Sequence, residues 1–389
     1  MDFNLNEEQT LFVQSVRAFA ERHLAAGALQ RAHSDEYPWD VAGLMAQQGL
    51  LGITASVESG GAGGTLMDAV IAIQEVACVC PRSADVVQAG NFGAIRVLMQ
   101  YATPDQRERY LKPLLEGRAL ISVAMTESNA GSAVTELTTT ATPDGAGFRL
   151  NGSKLFTTHG THATVFLVYV RFGPGVGNIG SVLVERGAEG FTFGKQVRFL
   201  SGEMWNPLFF DNVYIPPENV LLGPGGFKKQ ISSFNVERIG NSARALALGH
   251  HAYEVAREHV LTRRQFGRSL ADFQGMQWKF AEMKIQLDAA QLLLYRAAAN
   301  ADQGFPSAEE TAIAKVACNR AGFNVANEAM QAMGGSGYSQ DSLVEYCFRR
   351  TRGWMIAGGT VEILLNRIAE HVFDRAFPQR LPQGSRAVV

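Results

Sequence analysis

The hydrophobic positions of this chain change period twice. Near the start, Phe12, Val16 and Phe19 recur at the spacing of a helix face. Asn6 stands ahead of them as a cap, and Gln9 completes a capping box. Helical patterning runs from residue 1 to about 118 and is broken by Ser59-Gly60-Gly61-Ala62-Gly63-Gly64-Thr65. That stretch lacks the Gly-Lys-Ser/Thr ending of a phosphate-cradling loop, so it reads as a connection. From 119 to 222 the pattern is strands and turns. Thr142-Pro143-Asp144-Gly145 predicts a turn, and Leu150-Asn151-Gly152-Ser153 predicts a second hairpin. Val165–Val170, Ser181–Val184 and Leu208–Phe210 read as buried strands. Pro216-Pro217 and Gly223-Pro224-Gly225-Gly226 mark the next boundary. Beyond them Met276, Phe280, Met283, Leu287, Ala290 and Leu294 form a stripe that suits an antiparallel helix bundle. The result is an α+β arrangement in three parts: a helical domain (1–118), a β domain (119–222) and a helical bundle (223–389).

Composition narrows the possible functions. With 389 residues, 46% hydrophobic and 19% charged, the chain can bury a sizeable core and is not a disordered protein. A net charge of -2 argues against nucleic-acid binding. No apolar run is long enough for a membrane span. The opening Met1-Asp2-Phe3-Asn4-Leu5 has no leader pattern and reads as the mature start of a cytoplasmic chain. Cys78, Cys80, Cys318 and Cys347 have no zinc spacing and fit a reduced compartment. His159 and His162 lie close together but have no further ligand nearby in sequence, so no metal site is expected.

Four segments carry chemistry. They are Val123-Ala124-Met125-Thr126-Glu127-Ser128-Asn129-Ala130-Gly131-Ser132, Lys154-Leu155-Phe156-Thr157-Thr158, Arg263-Arg264-Gln265-Phe266-Gly267 with Phe273-Gln274, and Gln331-Ala332-Met333-Gly334-Gly335-Ser336-Gly337-Tyr338. In this order and spacing they resemble the acyl-CoA dehydrogenase family, over nearly the whole chain. The resemblance implies a β-barrel-like middle domain, a C-terminal four-helix bundle and an FAD enzyme that oxidises acyl thioesters to 2-enoyl thioesters. It also implies a homotetramer, or a homodimer, that passes electrons to an electron-transfer flavoprotein or a similar acceptor. The residue chemistry agrees. Thr126 and Ser132 offer hydroxyls to the polar edge of a flavin, with Met125 beside them, and Gly131 lets backbone approach. Phe156 is an aromatic wall and Thr158 a further hydroxyl. Arg263 supplies a forked charge for a pyrophosphate. By resemblance, Arg263, Gln265, Phe266, Gln274, Gln331, Gly334 and Gly335 reach the FAD of a neighbouring subunit, and Thr360 and Glu362 touch FAD as well.

The chemistry needs a carboxylate that takes an α-proton while the β-hydrogen leaves as hydride. Family members with medium-chain substrates carry it in a Glu-Gly-Thr loop. Here that loop is Ile356-Ala357-Gly358-Gly359-Thr360, and Gly358 cannot take a proton. Isovaleryl and long-chain types place a Glu-Arg pair on a helix instead. The matching pair is Glu237-Arg238, so Glu237 is the expected base, its pKa raised toward neutrality by desolvation. The backbone N–H of Gly358 would still polarise the thioester carbonyl. Ser132, Phe234, Asn235 and Arg238 fall on the substrate side.

Several positions depart from the family pattern. Ser128 and Ala133 replace Pro and Asp, Phe156 and Thr157 replace Trp and Ile, Asn235 replaces Asp, and Ser201–Asn206 stands where Gly-x-Arg-x-Ser is common. They leave the acyl carrier open between CoA and a carrier protein. Three other functions compete. The chain start and Gly358-Gly359-Thr360 are also similar to crotonobetainyl-CoA reductase, which implies the reverse reaction. A flavin oxidase or monooxygenase, and a flavin-binding protein without turnover, are the others.

Overall fold

The structure, a computed structural model, describes residues 4–301 and 305–378. Of the opening stretch, Met1, Asp2 and Phe3 lie outside the described residues. Asn6 caps α1 (Glu7–Leu24) as expected: its side chain accepts the Gln9 N–H at 2.8 Å, and Gln9 accepts the Asn6 N–H at 3.1 Å. Then come α2 (Ala28–Ala32), α3 (Trp39–Gln47), α4 (Leu66–Val79), α5 (Ala84–Asn91), α6 (Ala94–Tyr101), α7 (Pro104–Gln106) and α8 (Lys112–Leu115). The glycine-rich segment is a connection, ending where Thr65 caps α4. α4 is buried on nearly every face because it lies among α1, α5 and the C-terminal helices.

The middle of the chain forms one nine-stranded sheet: β1 (Ile121–Ala124), β2 (Thr140–Asp144), β3 (Gly147–Thr158), β4 (Val165–Arg171), β5 (Ile179–Glu185), β6 (Phe191–Phe193), β7 (Val197–Arg198), β8 (Met204–Ile215) and β9 (Val220–Leu222). Its main path is β6-β8-β3-β2-β4-β5-β9, with β1 parallel to β4 and β7 beside β8. The strand expected over 165–170 is buried on both faces. Phe166, Val168 and Val170 join the core within the sheet, while Val165, Leu167 and Tyr169 pack against the N-terminal helices. That two-sided burial explains an unbroken apolar run. The β2–β3 turn falls at Gly145 as predicted, but the hairpin predicted at Asn151-Gly152 does not form. Both residues lie inside β3, at a register shift against β8. Thr139 crosses so close that a Cβ on Gly152 would stand 2.6 Å from its hydroxyl. The glycine serves a bulge and a close approach, not a turn.

The C-terminal part holds α9 (Phe227–Thr262), a hairpin of β10 (Arg264–Gln265) and β11 (Arg268–Ser269), α10 (Gln274–Ala299), α11 (Ala308–Met333), α12 (Gly335–Tyr338), α13 (Leu343–Trp354) and α14 (Val361–Val372). The stripe of α10 buries Met283, Leu287, Ala290 and Leu294, while Met276 and Phe280 are half-buried. α9 and α11 touch where Gly322 meets Ala245 and Gly249; a Cβ on Gly322 would stand 2.1 Å from the Ala245 carbonyl oxygen. The backbones can therefore pack closely, and the two helices run in the same direction.

Candidate active site

At the edge of the sheet the ends of β1 and β3 lie side by side. The Ser122 hydroxyl donates to the Thr158 carbonyl at 2.8 Å, and the Leu155 N–H to the Thr126 carbonyl at 2.8 Å. Beneath them Lys154 is fully buried and pairs with Glu127 at 2.8 Å, while its ammonium also reaches the Met125 carbonyl at 3.1 Å. Glu127 further accepts the N–H and hydroxyl groups of Thr138 and Thr139. Burial alone would raise the Glu127 pKa; Lys154 and these donors bring it down to about 2. Burial lowers Lys154 to about 8 against the pull of Glu127. The pair is a strut that fixes the Met125–Thr126 segment. Above it Phe156, at φ 56°, is half exposed and packs at 4.6 Å on Trp205 and 6.2 Å on Phe199. Thr158, Gly131 and Ser132 are exposed nearby, and Met125 and Thr126 half-buried. An aromatic face rimmed by hydroxyls and open backbone fits a flat apolar ring with a polar edge.

A second set gathers at the far end of the bundle. Arg263, Gln265, Phe266 and Gln274 are all exposed on or beside the β10–β11 hairpin. Phe266, at φ 51°, is 93% exposed. Gln331, Gly334 and Gly335 are exposed where α11 ends. Because α9 and α11 run together, both groups share one end. Arg263 lies roughly 39 Å beyond Glu237 along α9, at about 1.5 Å per residue, so it cannot serve the chemistry beside Glu237 of its own chain.

Glu237 sits on α9 facing α5. Its Oε1 accepts the Gln88 amide at 2.6 Å and the Asn241 amide at 3.1 Å. Burial raises its pKa to about 7, although Arg244, Gln88, Lys315 and Asn241 all favour the charged form. Gly358 lies opposite at φ 75°; a Cβ there would stand 3.1 Å from the Asn241 amide nitrogen and 3.4 Å from Lys315 Cε. The loop around Gly358 is held from two sides. Arg238 Nε donates to the Gly358 carbonyl at 3.0 Å, and the guanidinium also bonds Asn235 at 2.8 Å and covers the Phe234 ring. Lys315, fully buried, donates to the Trp354 and Gly359 carbonyls at 3.0 and 3.1 Å. Burial lowers its pKa to about 7. Among the described residues, the Gly358 N–H makes no hydrogen bond. Thr360 caps α14, with Glu362 exposed on its first turn.

Gln88, Asn241 and Lys315 had not been singled out in the sequence. The available signal for Gln88 was a polar residue inside the apolar run Val86-Val87-Gln88-Ala89. Asp85, one turn earlier, is also buried. It takes Arg82 at 2.6 Å, Arg244 at 2.5 Å and Arg350 at 2.7 Å, and Arg350 also pairs with Glu203. His159 is part of this layer: burial and the nearby guanidinium of Arg82 lower its pKa to about 3. Among the described residues no group of three or more His, Cys, Asp or Glu could hold a metal ion, and no helix is long and apolar enough to cross a membrane.

Comparison with known proteins places this architecture. The acyl-CoA dehydrogenase N-terminal, middle and C-terminal domain descriptions match residues 6–118, 122–213 and 224–373. The chain belongs to the acyl-CoA dehydrogenase family, FAD-dependent enzymes that act on CoA thioesters. It is similar to the short-chain-specific acyl-CoA dehydrogenase of Clostridium acetobutylicum, at 33% identity over 96% of this chain and 100% of that one. It is 32% identical to a 3-sulfinopropanoyl-CoA desulfinase of Paraburkholderia xenovorans, covering 97% and 99%. It is 34% identical to an acryloyl-CoA reductase (NADH) of Anaerotignum propionicum, covering 96% and 97%. Among solved structures, the butyryl-CoA dehydrogenase of Megasphaera elsdenii superposes with a TM-score of 0.89 at 32% identity, covering 96% and 100%.

Proposed function

We propose that this protein dehydrogenates an acyl-CoA to the 2-enoyl-CoA, with Glu237 as the base that removes the α-proton. The carrying observation is the setting of Glu237: a carboxylate held near neutrality by burial, fixed by two amides and set against the loop of Gly358. A base poised near pH 7 suits proton abstraction. The free Gly358 N–H supports its role as donor to the thioester oxygen as charge develops there. Ser132, Phe234, Asn235 and Arg238 would meet the thioester and its carrier. CoA is favoured over a carrier protein because the named relatives act on CoA esters. Met125, Thr126, Gly131, Ser132, Phe156, Thr158, Thr360 and Glu362 would hold the FAD of the same chain. Arg263, Gln265, Phe266, Gln274, Gln331, Gly334 and Gly335 would hold the FAD of a neighbour, in a homotetramer or homodimer. When bound, FAD accepts the β-hydrogen as hydride, and an electron-transfer flavoprotein or similar carrier would reoxidise it. A cytoplasmic setting belongs to the same reading, supported by four free cysteines.

The test is anaerobic mixing of the purified holoenzyme with butyryl-CoA. Bleaching of the flavin absorbance is expected for the wild type. Glu237→Gln should keep its FAD and bleach at least a thousandfold more slowly, on the order of the loss of an essential base. Bleaching at the wild-type rate removes Glu237 from the mechanism. The similarity to an acryloyl-CoA reductase keeps the reverse reaction as a second reading. Reoxidation of reduced enzyme by crotonyl-CoA, without bleaching by butyryl-CoA, would favour it.

A further inference from the structure

The two carboxylate oxygens of Glu237 have unlike surroundings. Oε1 receives both amides, from Gln88 at 2.6 Å and Asn241 at 3.1 Å. Oε2 faces Gly93, where a Cβ would stand only 3.0 Å away. The missing side chain leaves that oxygen uncovered. Asn241 is one turn further along the same helix, so it follows Glu237 wherever α9 goes. Gln88 is different: it comes from α5, and its sequence distance from Glu237 is 149 residues.

Gln88 is 4% exposed, and its amide oxygen is buried without a hydrogen-bond partner. A buried amide whose oxygen has no partner is costly. Among the described residues, its bond to Glu237 is the single hydrogen bond this side chain makes. The amide is thus tied to the carboxylate and to nothing else.

We propose that Gln88 is a positioning residue for the base: it pins Oε1, with Asn241, so that Oε2 receives the α-proton. The α C–H bond breaks, its proton bonds to Oε2, and the electron pair stays on carbon, delocalised into the thioester carbonyl. The proposal rests on Glu237 being the base. Donating to the ionised carboxylate also favours that form, so Gln88 holds the base lower in pH than burial alone would. The other charged groups facing Glu237 are Arg244 of its own helix and Lys315 of α11, with Asp85 of α5 bonded behind Arg244. All three persist when Gln88 is replaced.

The experiment follows exchange of the α-hydrogens of butyryl-CoA into D2O on the holoenzyme, across pH. In parallel, infrared spectroscopy without substrate follows the protonated carboxyl band, assigned by its loss in Glu237→Gln. Gln88→Leu should move both midpoints up by about one pH unit, the scale of a lost hydrogen bond to a carboxylate. Exchange at pH 7 should then slow about fivefold, as the ionised share falls from about a half to about a tenth. FAD content should be unchanged. If Gln88→Leu does not fold, Gln88→Met, closer in shape, replaces it. Unmoved midpoints overturn the proposal whatever the rate does. Exchange that survives Glu237→Gln sinks the base assignment itself, and is read separately from the Gln88 result.

Discussion

Glu237 can accept a proton only when ionised, and burial resists that ionisation until about pH 7. Exchange of substrate α-hydrogens should therefore rise about tenfold per pH unit below that value and level off above it. Stability carries the same signature. The folded carboxyl keeps a proton that the unfolded chain has released, so its contribution is fully present below the unfolded value and lost as pH rises through about 7. Glu237→Gln should accordingly raise the melting temperature at pH 8 and leave it nearly unchanged at pH 5. Scanning calorimetry at the two values decides it; equal shifts would mean the carboxyl is not perturbed. Glu237 and Gly358 entered as candidates through the resemblance, each from a contiguous motif. Gln88 and Lys315 were not legible, because each meets its partners in another segment: Gln88 reaches Glu237 across 149 positions, and Lys315 reaches carbonyls of residues 354 and 359, at separations of 39 and 44 positions. Periodicity reports which face is buried, not which partner a lone polar group meets there.

Among the elements, the strut of Lys154 and Glu127 ties β3 to the segment after β1. Breaking one partner of a buried pair leaves an uncompensated charge and costs about 3–5 kcal/mol. Lys154→Met should therefore lower the melting temperature and purify with less FAD per chain, measured by absorbance ratio. Adding Glu127→Gln should recover part of the melting temperature, since the stranded charge is gone. If FAD content stays at the wild-type level in Lys154→Met, the strut does not shape the flavin-facing loop. The strands over 165–170 and 181–184 could be read from their apolar runs, and the stripe of α10 from its spacing. The Asn151-Gly152 dipeptide misled because its glycine answers to Thr139, a neighbour across the sheet rather than along the chain.

For the molecule as a whole, the separation along α9 matters most. Glu237 and the Arg263 hairpin sit at opposite parts of one long helix, so the two sets of proposed FAD contacts belong to different sites. Complementation tests this. Glu237→Gln and Arg263→Met should each be nearly inactive alone, the second through weak FAD binding. Co-expressed with different tags and purified as hybrids, they should regain activity at about half of the sites of a two-chain unit, by the symmetry of a shared interface. Hybrids as inactive as the parents would mean that each chain binds its flavin unaided. The order of helical, sheet and helical parts was legible from the change of period. Which residues would cross to a neighbour was carried by resemblance alone, since in a single chain a residue that meets a partner is as exposed as any other surface residue.

One buried carboxylate ties these parts to one another. Asp85 belongs to the N-terminal helices, Arg244 and Arg350 to the bundle, and Glu203 to the connection just before β8, yet all four share one ionic knot. Recombination between relatives must respect it. A chimaera that imports an N-terminal segment without an acid at 85 leaves Arg244 without its ion-pair partner and Arg350 with Glu203 alone, whereas one that lacks the acid at 203 leaves Arg350 to share Asp85 with Arg244. Exchange of whole segments should therefore cost least when the donor carries the matching half of the knot.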